Sequence, residues 1–430
     1  MKKIEINSSF FTRNRKNLAA LMKSDSCAVI NSNDIMPSNA DGSMKFIQNS
    51  DLFYLTGIEQ EETVLLLNPS AKKEDMKEIL FIRDYNPELE VWEGKKYSPE
   101  EASRVSGIQT VLGLSRFEDL LHDIMCKYEN VYLNTNDHDR SANTVETRDL
   151  RFIALLKKKY PIHNYFRISP LIYSLRAIKS PEEVELLQKA CDLTGRGFQR
   201  ILRFVKPGVW EYEIEAEFAH EFISRGSKYA DYEPIIASGE SSCFLHYISN
   251  DKQCNDGDVL LIDLAAGWGN YNADMTRTIP VNGKFTKRQK DVYNAVLRAM
   301  NGTIAEMKPG KTAIDIHMVT KDLLAKELVD LKLVKPEDVK DLNKKSTAFK
   351  KYYPHEVSHF LGLAVHDVGI FDEPLKPGMV LTCEPGIYIR EEKIGIRIEN
   401  DILITENGNK DLMRSIPVEA EEIEEIMNTQ

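Results

Sequence analysis

A repeat in the second half of the chain narrows the folds open to it more than any other feature. KPGVWEYEIEAEFAHEFISRG begins at Lys206 and KPGKTAIDIHMVTKDLLAKEL at Lys308, each a turn followed by an amphipathic helix. GDVLLID (257–263) is echoed by GMVLTCE (378–384), a glycine and then, six positions on, a carboxylate closing an apolar strand. Each carboxylate is followed by a glycine-containing turn, a second β-like run and another acid: Asp263 then Asp274, and Glu384 then Glu399. A histidine precedes each unit at a similar distance, His246 seventeen residues before Asp263 and His366 eighteen before Glu384. Matches in this constant order point to duplication, so the domain is expected to have two similar halves related by a pseudo-two-fold axis.

The 430 residues are enough for two domains. The first part alternates short β-rich runs (27–32, 63–68, 78–84 and 130–135) with helical stretches at 12–24 and 116–127, which reads as an α/β domain over residues 1–175. A helix start then punctuates the chain: Ser180 as N-cap, Pro181 at the first helical position and Glu183 where a capping box needs it. Val184, Leu187 and Cys191 share one face of this helix, which opens the second domain, residues 176–430.

Asp263 closes the run VLLI and Glu384 closes VLTC, and a carboxylate in such surroundings is costly unless a cation faces it. For one acid, an Arg or Lys would serve as well as a metal. The count decides. LIDLAAGWGNYNADMTRTI puts Asp263 and Asp274 on two arms of a hairpin, TCEPGIYIREEKIGIRIEN does the same for Glu384 and Glu399, and pseudo-symmetry turns the pairs toward each other. Converging carboxylates raise one another's pKa values unless divalent cations sit among them, and a carboxylate-rich shell completed by one histidine suits two such ions. The segment HEVSH, His355 to His359, is formally an H-E-x-x-H, the spacing of a helical zinc site. Pro354 before it, the strand-and-turn character of FLGLAVHDVG after it, and the remaining acids all argue against that helix. The assignment adopted is His359 as a metal ligand and His355 as a substrate-facing group, with no role as base for Glu356.

The segments SGESSCFLHY, LLIDLAAGWGNYNADMTRTI, HEVSHFLGLAVHDVG, LTCEPGIYI and IGIRIEN resemble the signature blocks of the metal-dependent peptidases with the pita-bread fold, a family of proline-specific aminopeptidases, prolidases and methionine aminopeptidases. The resemblance runs from about residue 176 onward. NADGSMKFIQNSDLFYLTGIEQEETVLLLNP (39–69) and RDYNPELEVWEGKK (83–96) resemble the N-terminal domain of the Xaa-Pro aminopeptidase type. It implies an α/β domain followed by an α+β pita-bread catalytic domain. One ion would be held by Asp274, His359, Glu384 and Glu399, the other by Asp263, Asp274 and Glu399, with manganese expected and cobalt or zinc as alternatives. Glu384 would shuttle the proton for a hydroxide activated between the ions, and His366 would hydrogen-bond the scissile peptide. His246 and His355 would line the substrate site, and Arg397 would either orient metal carboxylates or meet a substrate carboxylate. Asp41 and Trp92 would approach an active site across a subunit interface of a homodimer or homotetramer. Where relatives commonly have glycine, this chain has Glu356.

The expected substrates are peptides with proline at position two, hydrolysed at the bond before it. A prolidase restricted to dipeptides and a metal-free binding protein on the same fold are the alternatives. A net charge of −11, from 56 Lys+Arg against 67 Asp+Glu, argues against nucleic acid and anionic membranes as partners. The start lacks an apolar signal-type run and no stretch is long enough to span a bilayer, so a cytoplasmic protein is expected. The six cysteines form no CxxC pair and read as reduced and structural. His122, His138, His163, His220 and His317 fall in none of the blocks, and LAAGWGNYNAD lacks the glycine spacing of a nucleotide loop.

Overall fold

The computed structural model describes residues 4–429 except 136, 139, 142, 143 and 341–346. The chain divides into two compact units, Glu5–Arg176 and Ala177–Gln430, the latter taking in Met1–Ile4.

The first unit runs α1 (Ser8–Leu21), β1 (Ser26–Asn31), α2 (Ser50–Thr56), β2 (Val64–Leu67), β3 (Glu78–Ile82), α3 (Pro87–Glu93), α4 (Pro99–Ser106), β4 (Thr110–Gly113), α5 (Phe117–Met125), β5 (Asn130–Leu133), α6 (Arg148–Lys159), β6 (Asn164–Arg167) and α7 (Ser169–Arg176). The strands form one sheet in the order β4-β3-β2-β1-β5-β6, in which β2 alone runs against its neighbours. Successive residues of a strand face opposite sides, so Cys27 and Val29, Val64 and Leu66, Ile79 and Phe81, and Val131 and Leu133 present one apolar face. Phe117, Leu121 and Ile124 of α5 and Leu156 of α6 cover it.

The second unit opens with α8 (Pro181–Phe204), where the Ser180 and Glu183 capping box forms as expected. It continues with α9 (Glu211–Ser224), β7 (Lys228–Tyr229), β8 (Ile235–Ser238), β9 (Val259–Asp263), β10 (Ala266–Trp268), β11 (Tyr271–Asn272) and β12 (Thr276–Pro280). The second half follows as α10 (Lys287–Glu306), α11 (Ala313–Asp330), α12 (Thr347–Tyr352), β13 (Val380–Cys383), β14 (Gly386–Ile389), β15 (Ile394–Arg397), β16 (Asn400–Thr405), β17 (Gly408–Asp411) and α13 (Ala420–Asn428).

The duplication is visible in the order of elements. The helix pair α8 and α9 answers to α10 and α11, and β9, β10, β11, β12 answer to β13, β14, β15, β16. In each half an outer antiparallel pair (β9 with β12, β13 with β16) carries a smaller hairpin between its arms (β10 with β11, β14 with β15). The halves are stitched where they meet. The Glu399 amide donates to the Thr276 carbonyl (3.0 Å), and the Arg397 amide donates to Thr278 Oγ1 (3.2 Å). The fully buried Arg277 guanidinium binds the carbonyls of Thr276 and Glu399 and the side chain of Asn400.

Candidate metal centre

The acids stand where the repeat puts them. Asp263 ends β9 and Glu384 follows β13, while Asp274 precedes β12 and Glu399 precedes β16. The seam between halves brings Asp274 and Glu399 together: among the described residues, one ligand atom each of Asp274, His359 and Glu399 lie within 4.8 Å of one another, all buried. His359 Nε2 is 3.3 Å from Asp274 Oδ2 and 3.8 Å from Glu384 Oε1. Asp263 joins through Arg397, whose guanidinium donates to Asp263 Oδ2 (2.6 Å), Thr276 Oγ1 (3.1 Å) and Tyr388 Oη (3.0 Å). Thr276 Oγ1 in turn donates to Glu399 Oε2 (2.7 Å).

The two histidines of HEVSH are placed quite differently, and no helix forms there. The backbone instead runs beside β13: the Leu361 amide donates to Val380, Thr382 to His359, and Glu384 to Val357. This extended pairing puts His359 beside the acids. Its Nδ1–H faces the Phe360 carbonyl (3.1 Å), which leaves the Nε2 lone pair toward Asp274 and Glu384, the tautomer a metal ligand needs. His355 lies at the wall. Its Nδ1–H donates to the Glu356 carbonyl (2.7 Å), so Nε2 accepts from Tyr388 Oη (2.8 Å). The His366 ring meets that of His359 edge-on, with centroids 4.6 Å apart. His366 and His246 are both solvent-exposed.

The electrostatics show what this cluster suits. Burial pushes Glu384 up to about 7, with His359 and Arg397 opposing and Asp274 and Asp263 adding to the rise. Burial also raises Asp263 against the charge of Arg397, and lifts Glu399 well above the carboxylate range with help from Asp274, Glu384 and Asp263. For His359 burial is outweighed by the hydrogen bond to Asp274 and the charges of Glu384 and Asp274, and its pKa rises. For His355 burial and the nearby Arg397 lower it to about 3, so the ring is neutral. Two like charges about 4 Å apart repel by roughly 4 kcal/mol even at an effective dielectric of about 20, more than one guanidinium can offset for four acids. Buried oxygens are left over: Asp263 Oδ1 and Glu399 Oε1 have no hydrogen-bond partner. Unpaired oxygens, mutually repelling acids and an imidazole lone pair together fit divalent cations held by carboxylates and one histidine.

Asp41 and Trp92 belong to the first unit, where both are exposed. The sequence reading overlooked Tyr388 and Thr276, which link His355, Arg397, Asp263 and Glu399. It also overlooked Asp401, whose fully buried carboxylate accepts from the Asp274 amide (3.1 Å). Thr276 sits two positions after Asp274 and Asp401 two after Glu399, the one signal that these side chains share the ligands' side of the strand.

Residues 185–406 match the model of metallopeptidase family M24, and residues 11–132 match that of the aminopeptidase P N-terminal domain. Among curated proteins, the chain is 34% identical to an Xaa-Pro aminopeptidase of Escherichia coli, over 98% of each chain. It is 32% identical to human Xaa-Pro aminopeptidase 3, over 94% of this chain and 81% of the relative. Among solved structures, a single-residue variant of E. coli aminopeptidase P in complex with substrate superposes with a TM-score of 0.89 at 33% identity, covering 99% of both chains. The zinc-substituted form of that enzyme in complex with product gives the same TM-score at 32% identity, covering 99% of this chain and 100% of that one.

Proposed function

For a chain that belongs to metallopeptidase family M24, in its Xaa-Pro aminopeptidase branch, we propose that the substrate is a peptide with a free N-terminus and proline in second place, and that the bond before the proline is hydrolysed. The observation that carries this is the buried convergence of Asp274, His359 and Glu399, with Asp263 and Glu384 beside them.

Asp263, Asp274, His359, Glu384 and Glu399 would hold two divalent ions, Asp274 and Glu399 shared between them. Such ions, when bound, supply a polarised scissile carbonyl and a water acidic enough to attack at neutral pH. Glu384 takes the water's proton and delivers it to the prolyl nitrogen, which must be protonated to leave. Its placement supports that role: it lies 3.8 Å from His359 and 3.9 Å from His355, and its side chain, 19% exposed, is more open than those of Asp263 and Asp274. His366 hydrogen-bonds the scissile peptide and steadies the oxygen that gains charge. His355, neutral and held by Glu356 and Tyr388, offers the proline ring a wall rather than a proton. Arg397 has its donors engaged by Asp263, Thr276 and Tyr388, which favours its orienting the carboxylates over meeting a substrate carboxylate.

Manganese is the proposed ion, since four carboxylates and one imidazole suit it; cobalt or zinc would fit the same donors. A cytoplasmic location and a homodimeric or homotetrameric assembly belong to the same proposal. In that assembly Asp41 and Trp92 of one copy approach the site of another, a role supported by the 85% exposure of Trp92 in the single chain. The deciding experiment compares a matched X-Pro dipeptide with an X-Pro-Y-Z tetrapeptide, using the manganese-loaded protein. Cleavage of the tetrapeptide at least as fast as the dipeptide, abolished by acetylating the amine, is expected. Fast cleavage of the dipeptide alone would make the enzyme a prolidase.

A further inference from the structure

His246 sits in a turn with no helix or strand of its own, directly after the short helical turn Gly239–Cys243. An exposed imidazole on such a segment is a poor substrate-contacting group unless something fixes the backbone that carries it. The residues on either side of it supply anchors. Leu245 and Tyr247 pack against a cluster of Ile235, Ala237, Cys243, Leu261 and Tyr388, the last being the tyrosine that donates to His355. The imidazole between them is left facing solvent.

At the far side of this segment lies a buried carboxylate that the mechanism does not use. Glu211, the first residue of α9, has no exposed surface. Its Oε1 accepts from the Ser238 amide (2.8 Å) and hydroxyl (2.6 Å) at the end of β8, and its Oε2 accepts from Tyr247 Oη (2.8 Å) and the Lys252 amide (3.0 Å). Four donors fill the accepting capacity of a carboxylate, so its charge is stabilised in place without a cation. The Tyr247 hydroxyl also reaches Asp251 Oδ1, but at the longer distance of 3.1 Å. The same segment is tied again further along. Asn250 accepts from the Ile236 amide (3.0 Å) and donates to the Pro234 carbonyl (2.9 Å), and Lys252 Nζ donates to Ser241 Oγ (2.7 Å).

We infer that Glu211 is a positioning residue for substrate binding: through Tyr247, Ser238 and Lys252 it holds the 239–253 segment so that His246 meets the peptide. The inference rests on the reading of His246 as substrate-facing. Glu211 itself touches neither substrate nor metal. A neutral glutamine cannot replace it, because its amide group would turn a donor toward either Ser238 or the Lys252 N–H and leave a buried donor unmet.

The test is a double-mutant cycle on the manganese-loaded protein with an X-Pro-Y-Z tetrapeptide. Tyr247→Phe removes one oxygen and keeps the packed ring, so it reports on the link even if Glu211→Gln folds poorly. Each single variant is expected to lose about tenfold in kcat/KM, the scale of a slightly misplaced contact, with metal per chain unchanged by elemental analysis. His246→Ala is expected to lose at least as much. Tyr247→Phe added to His246→Ala should cost nothing further, because the anchor then has nothing to position. Multiplying losses would overturn the inference while leaving the role of His246 standing, since a merely structural defect harms both backgrounds equally. Undiminished turnover by His246→Ala alone would instead remove the reading of His246, and the inference with it.

Discussion

At the scale of single residues, the two imidazoles of HEVSH share a motif but not a setting. His359 is 5% exposed with its Nε2 lone pair among acids, whereas His355 has both ring nitrogens occupied by Glu356 and Tyr388. His359→Ala should therefore lose metal as well as activity, read by elemental analysis after dialysis. His355→Ala should keep the metal of the parent protein and lose turnover on X-Pro substrates. Glu384→Gln should cost about 10²- to 10⁴-fold in kcat, the range of a lost proton-transfer group. Glu356→Gln, at an exposed position, should cost under about threefold. Equal metal loss by both histidine variants with a dead Glu356→Gln would restore the helical zinc reading. The order of acids in the repeat sufficed to single out Asp263, Asp274, Glu384 and Glu399, because Asp263 and Glu384 close apolar runs that make no sense for an unpaired charge. Tyr388 gave no such signal, and Thr276 and Asp401 gave only their two-residue spacing from Asp274 and Glu399. A tyrosine or threonine in a strand is ordinary, and only the fold shows which carboxylate it meets.

At the scale of elements, local rules worked where the physics is local. The α8 start was legible because a capping box is written within four residues, Ser180 to Glu183. The acid-bearing arms were legible too, but the pairing within them was not: β10–β11 and β14–β15 are separate hairpins inserted between arms that pair around them. In the first unit the four strand runs appear as β1, β2, β3 and β5, while β4, β6 and several short helices went unread, since the half-exposed edge strands TVLG and NYFR lack the buried apolar run that marks VLLL in β2. One helix start carries a testable strain. Asp149 in the first turn of α6 accepts from Asn31 Nδ2 (2.8 Å), yet burial raises it to about 6, with Asp51 and Asp34 adding to the rise and Arg148 opposing. Its unfolded value is 3.8, so between about pH 4 and 6 the folded chain holds a proton that the unfolded one has lost, and stability falls as pH rises. A rise from 3.8 to about 6 corresponds to about 3 kcal/mol, against about 0.3–1 kcal/mol gained from the helix dipole. Asp149→Asn keeps the Asn31 hydrogen bond and should raise stability at pH 7.5 by about 1–2 kcal/mol, an advantage that disappears near pH 4. A melting temperature unchanged or lowered at pH 7.5 would contradict it.

At the scale of the whole molecule, the prediction concerns stoichiometry. Four acids and one histidine at the seam of two halves provide donors for more than one ion, and buried oxygens of Asp263 and Glu399 are unpaired on both sides of that seam. Fully loaded protein should carry two divalent cations per chain by elemental analysis, and removing them should lower its melting temperature, because binding to the folded state alone stabilises it. One tightly held zinc with no second site under manganese saturation would contradict the paired arrangement.

The duplication and the order of its four acids were written in the chain because each rests on patterns spanning a few residues, repeated in a constant order. The sequence already favoured His359 over His355, but tertiary structure alone supplied the means by which it faces the acids, the 357–361 segment pairing with β13 rather than coiling. It alone decided that Arg397 belongs to Asp263, 134 positions away, and that Glu211 holds the segment bearing His246. Such contacts join segments far apart along the chain, and no local spacing encodes them. They form only when burial has removed water and each polar group must find its partner within the fold.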